Sequence, residues 1–158
     1  MITNPEGVEL MSTFTQIRYH VVFSTKDRRP VLSDSRREEL YMYMTGVIKN
    51  NQCHPVWING VKDHVHILLG LRPTVALADL VKDIKVASSI WIKGDAIFPN
   101  FDAWQQGYGA FTYSVQDESE LIAYVKAQEE HHRKTTFLEE YRKLLQDARI
   151  SFDEKYFP

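Results

Sequence analysis

Two strand-like runs, HPVWING at 54–60 and HVHILLG at 64–70, stand three residues apart, and this spacing restricts the fold more than any other feature. A turn as short as Val61–Asp63 joins antiparallel strands, because parallel neighbours need a crossover of a dozen residues or more. The rest of the chain has to build around that hairpin. Residues 14–24, FTQIRYHVVFS, are β-branched and aromatic with partial alternation, and read as an earlier strand. The basic loop TKDRRP follows, and Pro30 forbids a helix through it. Ser33 or Asp34 then caps a helix over 34–50 that ends at Asn50–Asn51. After the hairpin, Leu77, Leu80, Ile84 and Ala87 fall at helical spacing and place a second helix over 75–93, ended by Gly94. Residues 95–107, with Pro99, three aromatics and Gly107, have no period and read as a loop, and YGAFTYSV at 108–115 alternates as a fourth strand. Asp117 with Glu120 three residues on predicts a capping box opening a third helix over 118–134, and a short helix is expected over 137–147.

The order is β-α-β-β-α-β followed by helices. It predicts an α+β fold of the ferredoxin-like (split βαβ, RRM-like) kind, an antiparallel sheet with helices on one face plus C-terminal helices. With 158 residues there is room for one such domain and a tail. The expected division is a loose leader over 1–11, a domain over 12–135 and a C-terminal helical extension over 136–158. The strand-like pattern starts just after Met11, so Met11 competes with Met1 as the start. The extension, with Phe137, Tyr141, Leu144 and Leu145, packs either on the core or on a partner subunit, and the sequence does not choose.

Nineteen Lys and Arg against 21 Asp and Glu give a net charge of −2, which excludes a generally basic nucleic-acid coat but allows a local basic patch. Cys53 is the only cysteine, so an internal disulfide and a cysteine zinc cluster are excluded. A reducing, cytoplasmic compartment is the expectation. The opening MITNPEGVEL lacks the basic start and apolar stretch of a signal peptide or membrane span.

Chemistry begins at His64-Val65-His66. Alternation on a strand points the two imidazoles to one face, where they bind one divalent ion or, as the plainer alternative, hydrogen-bond to water or backbone. Asp63 either orients an imidazole or supplies the turn, with the turn slightly favoured. His20 and His54 lie on strands, but their spacing does not tie them to the pair. On the third helix Tyr124 and Gln128 are four apart and share a face. A tyrosine there is a nucleophile if its phenolate is stabilised, or else a core or rim residue. The Gln128 amide oxygen suits a hard ion such as magnesium or manganese. His131 and His132 near the helix end read as dipole partners.

Taken together, Tyr19–Phe23 with Thr25-Lys26-x-Arg28-Arg29, Asp63–Leu68, the run Trp104–Phe111 and Tyr124-Val125-x-x-Gln128 resemble the single-tyrosine HUH transposases of the smallest bacterial insertion sequences. These include the relatives associated with repetitive palindromes, and the resemblance spans residues 12 to 135. It implies cleavage and rejoining of single-stranded DNA at hairpin-marked ends. Tyr124 would be the nucleophile and form a 5′-phosphotyrosine link. His64, His66 and Gln128 would hold a divalent ion, Mg2+ or Mn2+, with His132 able to replace or supplement Gln128. A homodimer is implied too, with the site completed in cis or in trans. No nucleotide cofactor is needed, since the covalent link conserves the phosphodiester bond, and no Walker-type loop is present.

Lys26, Arg28 and Arg29 are the leading phosphate binders, with Arg36, Arg37, Lys82, Lys85, Lys126, Arg133 and Lys134 as further charge. Trp104, Tyr108 and Phe111 are candidates for base stacking, although packing is the expectation for at least two of them. The rival readings are a non-catalytic single-stranded nucleic-acid-binding module, a hydrolase using water as nucleophile, and a domesticated or inactive copy of an element's enzyme.

Overall fold

Strand β3 (His64–Gly70) is buried along its whole length, so it must be an interior strand covered on both faces. The computed structural model describes residues 14–158 and bears this out. Among the described residues, β3 is paired antiparallel with β2 (His54–Gly60) on one side and β1 (Arg18–Ser24) on the other. A short β4 (Gly109–Thr112) pairs with β1, giving the order β2-β3-β1-β4. This is the expected α+β fold, and the hairpin strands keep their sequence-derived bounds.

Register decides what each face carries. Val22 lies opposite His66, and Ser24 opposite His64. Val21, Phe23, Val65, Ile67 and Leu69 therefore point to one face. There they meet Leu40, Met44 and Ile48 of α1 (Arg37–Asn50) and Leu80, Val81, Ile84 and Ile92 of α2 (Leu77–Gly94) in the main core. Fully burying an aliphatic side chain of this kind contributes about 1.5–3 kcal/mol, so this layer dominates stability.

The opposite face, with His20, Val22, His64 and His66, is covered by the C-terminal half. Phe137, Tyr141 and Leu145 of α5 (Phe137–Asp147) pack on Val22. The extension of this chain thus packs on its own core. The third helix is not continuous. It ends as α3 (Glu118–Lys126), Ala127 interrupts it at φ −87° and ψ 15°, and a short α4 (Gln128–His131) follows.

The expected Asp117–Glu120 capping box does not form. A 3-10 turn over Val115–Asp117 leaves Asp117 with φ −90° and ψ −3°, outside the extended conformation of an N-cap, and its carboxylate accepts from Ser114 Oγ at 2.6 Å. A capping box does open α5, between Thr136 and Glu139. The leader over 1–11 and the choice between Met1 and Met11 fall outside the described residues.

Candidate active site

His64 and His66 project from β3 onto the face that α5 covers, and both are fully buried. A buried imidazole needs partners for both ring nitrogens. His64 Nδ1 lies 2.7 Å from Asp63 Oδ1, so the carboxylate of Asp63 takes the orienting role. The Asp63 carbonyl serves the turn, accepting from Thr25 N at 2.8 Å and Thr25 Oγ1 at 3.1 Å. The expectation for His20 needs correction. Its Nε2 is 2.8 Å from His66 Nδ1, because antiparallel pairing of β1 and β3 brings the two rings into a stack with centroids 5.0 Å apart. His54 is exposed and stays apart from the pair. Burial lowers the His20 pKa to about 3, helped by His66, and lowers that of His66 to about 4. Burial alone would also lower His64, but the Asp63 and Glu140 carboxylates outweigh it and raise that ring.

Tyr124 from α3 and Gln128 from α4 reach the same place, despite the break between them. Tyr124 stands edge-on to the His66 ring with centroids 6.0 Å apart, and Gln128 is fully buried. Both meet a residue that local spacing does not reveal, Glu140 of α5. Glu140 Oε2 accepts from the Tyr124 hydroxyl and from Gln128 Nε2 at 3.3 Å. His131 Nε2 lies 3.1 Å from the same oxygen. Glu140 Oε1 is 3.0 Å from His66 Nε2, 3.3 Å from His132 Nε2 and 3.5 Å from His64 Nε2. Burial pushes the Glu140 carboxyl up, but the His132, His64 and His66 rings around it win and hold it far below the usual carboxylate range. Tyr124 is shifted the other way, raised by burial and then by the hydrogen bond to Glu140 and its negative charge.

Two fully buried atoms here, His64 Nε2 and Gln128 Oε1, have no hydrogen-bond partner among the described residues. Orphaned buried acceptors are costly, and neutral imidazoles with an amide oxygen are ordinary ligands for a divalent ion. The donor set therefore fits such an ion. The sequence model described as "Transposase IS200 like" matches residues 13–128, most of the chain. The chain belongs to this family.

As an IS200-like transposase it is similar to the ISDra2 transposase TnpA of Deinococcus radiodurans. The two are 25% identical over 120 residues, 72% of this chain and 84% of that one. A crystal structure of a transposase from Deinococcus radiodurans superposes with a TM-score of 0.59 at 25% identity, covering 76% of this chain and 96% of that one. A REP-associated tyrosine transposase bound to a REP hairpin shares the fold, with a TM-score of 0.59 at 13% identity, over 89% of this chain and 87% of that one. His132 and Glu140 of this transposase lie beyond the family-matched segment.

The basic residues divide. Lys26 pairs with Asp102 at 2.8 Å, while Arg28 and Arg29 carry no ion pair among the described residues. Arg37 is buried between Asp34 and Glu129, and Lys85 donates to the carbonyls of Gln105 and Gly107, so neither is free for phosphate. Lys126 stacks over Trp57. Of the aromatic candidates, Trp104 is buried with its Nε1 donating to Ser88 Oγ, Phe111 packs beside the α5 cluster, and Tyr108 is 38% exposed.

Proposed function

We propose that this transposase cleaves and rejoins single-stranded DNA at hairpin-marked ends, with Tyr124 as nucleophile and a 5′-phosphotyrosine intermediate. The observation that carries this reading is the convergence of His64, His66, Tyr124 and Gln128, from a strand and two helices, on one buried point. The Tyr124 oxygen attacks the scissile phosphorus, the bond to the 3′ oxygen breaks, and the released strand leaves with a 3′ hydroxyl. Glu140 Oε2 holds the Tyr124 proton in the ground state and is the atom placed to receive it. His64, His66 and Gln128 would hold the divalent ion, Mg2+ or Mn2+, which when bound supplies electrostatic stabilisation of charge on the phosphate oxygens. Asp63 and His20 fix the orientation of the two imidazoles.

The exposed Arg29 and its neighbours Lys26 and Arg28 form the phosphate-binding loop. Thr25 holds that loop against Asp63, and so beside the site. Hairpin single-stranded DNA is the proposed partner, a homodimer the proposed assembly and the cytoplasm the proposed compartment. Among the described residues no helix is long and apolar enough to cross a membrane.

The test is incubation with labelled single-stranded hairpin DNA, taken from sequence flanking the gene, plus Mg2+ or Mn2+, resolved on a denaturing gel. A metal-dependent protein–DNA adduct is expected, and Tyr124→Phe should abolish it. Cleavage that survives Tyr124→Phe would transfer the case to a water-using nuclease. Binding with neither adduct nor cleavage on two different hairpins would leave a nucleic-acid-binding module.

A further inference from the structure

The break in the helix that carries Tyr124 has a partner on the neighbouring strand. Neither glycine nor proline stands at Ala127. In an unbroken helix the carbonyls of Val125 and Lys126 would accept from the amides four residues on, those of Glu129 and Glu130. Both carbonyls accept instead from one side chain of β2, Asn59, whose Nδ2 lies 2.9 Å from Val125 O and 3.2 Å from Lys126 O. Ala127 N is shared between Ala123 O at 3.1 Å and Tyr124 O at 3.2 Å. The ladder then restarts, with His131 N on Ala127 O and His132 N on Gln128 O, each at 2.9 Å. A side chain inserted into the ladder is one of the few causes of a sharp helix kink.

Asn59 suits this place by chemistry and by register. A primary amide nitrogen carries two hydrogens, one for each carbonyl, and two carbonyl acceptors decide which end of the amide points at them. Asn59 lies opposite His66 in the β2–β3 pairing, so the two side chains share the face that carries the site. Two residues earlier on β2, the Trp57 ring lies under Lys126 Nζ at 4.1 Å, a second hold on the same end of α3. Tyr124 before the break and Gln128 after it meet at one atom, Glu140 Oε2. Their relation is set by the backbone at Ala127, with φ −87° and ψ 15°, and Asn59 grips the two residues between Tyr124 and that point.

We propose that Asn59 is a positioning residue of the cleavage reaction: its amide wedges open the helix ladder after Tyr124 and so fixes where Tyr124 and Gln128 stand relative to each other. The proposal rests on the reading of Tyr124 as nucleophile. Asn59 acts through the backbone of Val125 and Lys126 and not on the phosphate itself. Attack on phosphorus demands an aligned oxygen, and a displacement of about 1 Å costs about 100-fold in rate.

A wedge and an ordinary cap differ in sign. Removing a cap frays the helix end, whereas removing a wedge lets the ladder close through it. The test uses the full chain with Asn59→Leu, which lacks the donor, and Asn59→Asp, which keeps the shape but turns an oxygen toward the two carbonyls. Amide hydrogen exchange followed by NMR should slow at Glu129 and Glu130 in Asn59→Leu. Single-turnover adduct formation on labelled hairpin DNA with Mg2+ or Mn2+ should slow about 10–100-fold in both variants, with the Kd for the same DNA unchanged. Asn59→Gln, which restores a primary amide, should recover part of the rate that Asn59→Asp loses.

Melting curves show which variants fold, and any that does decides the matter. Faster or unchanged exchange at Glu129 and Glu130 in folded Asn59→Leu would overturn the proposal, and so would adduct formation at the wild-type rate. A higher rate in Asn59→Asp than in Asn59→Gln would do the same, since it would assign the effect to packing and not to the amide. Loss of the nucleophile reading is detected separately, as cleavage that survives Tyr124→Phe in a chain that retains Asn59.

Discussion

At the scale of single residues, the site depends on side chains that touch no substrate. Asp63 separates cleanly into two functions, because its backbone carbonyl holds Thr25 while only its carboxylate reaches His64. Asp63→Ala therefore removes the orienting group and leaves the turn intact. Metal affinity is expected to fall about 10–100-fold, read as a weakened metal-dependent rise in melting temperature, with the metal-free melting temperature nearly unchanged. An unaltered metal response would show that the contact is incidental. The shared face of His64 and His66 was legible because strand alternation is a local rule, whereas Tyr124 and Gln128 were singled out by the resemblance and meet across a break in the helix. His20 was not legible, since it lies 46 residues from His66 and reaches it only through the register of two strands. Glu140 was hidden for the same reason. It reads as one of the acids in the first turn of an amphipathic helix, and only the docking of α5 turns it into the centre of the site.

At the scale of elements, α5 is the part whose position matters most, and a glycine sets how closely it approaches. A Cβ built on Gly109 of β4 would stand 2.8 Å from Tyr141 Cε2 and 2.9 Å from its Oη. Tyr141 adjoins Glu140 on the helix, so any shift that relieves the clash moves the carboxylate as well. Gly109→Ala is expected to cost about 1–3 kcal/mol by denaturant unfolding, the ordinary penalty for overpacking. It should also weaken metal binding, although residue 109 touches no proposed ligand. Stability and metal response both at wild-type level would mean that α5 absorbs the extra methyl without moving. The hairpin β2–β3 was readable to the residue because two apolar runs and a three-residue turn admit one arrangement. The break at Ala127 was not, because no glycine or proline marks it and its amide is shared between the carbonyls of Ala123 and Tyr124. The expected capping box failed through backbone conformation at Asp117, which composition does not encode.

For the whole molecule, the question is how a chain of net charge −2 holds a polyanion. In the C-terminal tail Arg142, Lys143 and Lys155 pair with Glu154, Asp147 and Asp153. Arg36, Arg37 and Arg133 are engaged in the same way, with Glu39, Asp34 and Glu129, and Glu130. Part of the positive charge is thus engaged inside the fold, while Arg28 and Arg29 in the loop after β1 carry no ion pair among the described residues. The strand order fixes where this loop lies, since Thr25 bonds to Asp63 at the mouth of the β2–β3 turn, one residue from His64. A phosphate held there leads the backbone toward Tyr124. Each phosphate contact contributes about 0.7 (single strand) to 0.9 (duplex) to the slope of log K against log salt. Arg28→Gln with Arg29→Gln should therefore lower that slope by about 1.4–1.8, measured by hairpin-DNA binding over a range of salt, and weaken binding similarly for every sequence tried. Lys26→Gln should change it less, because Lys26 gives up its bond to Asp102 before it reaches a phosphate. An unchanged slope in the double variant would place the DNA path on another face of the sheet, away from the β1 loop.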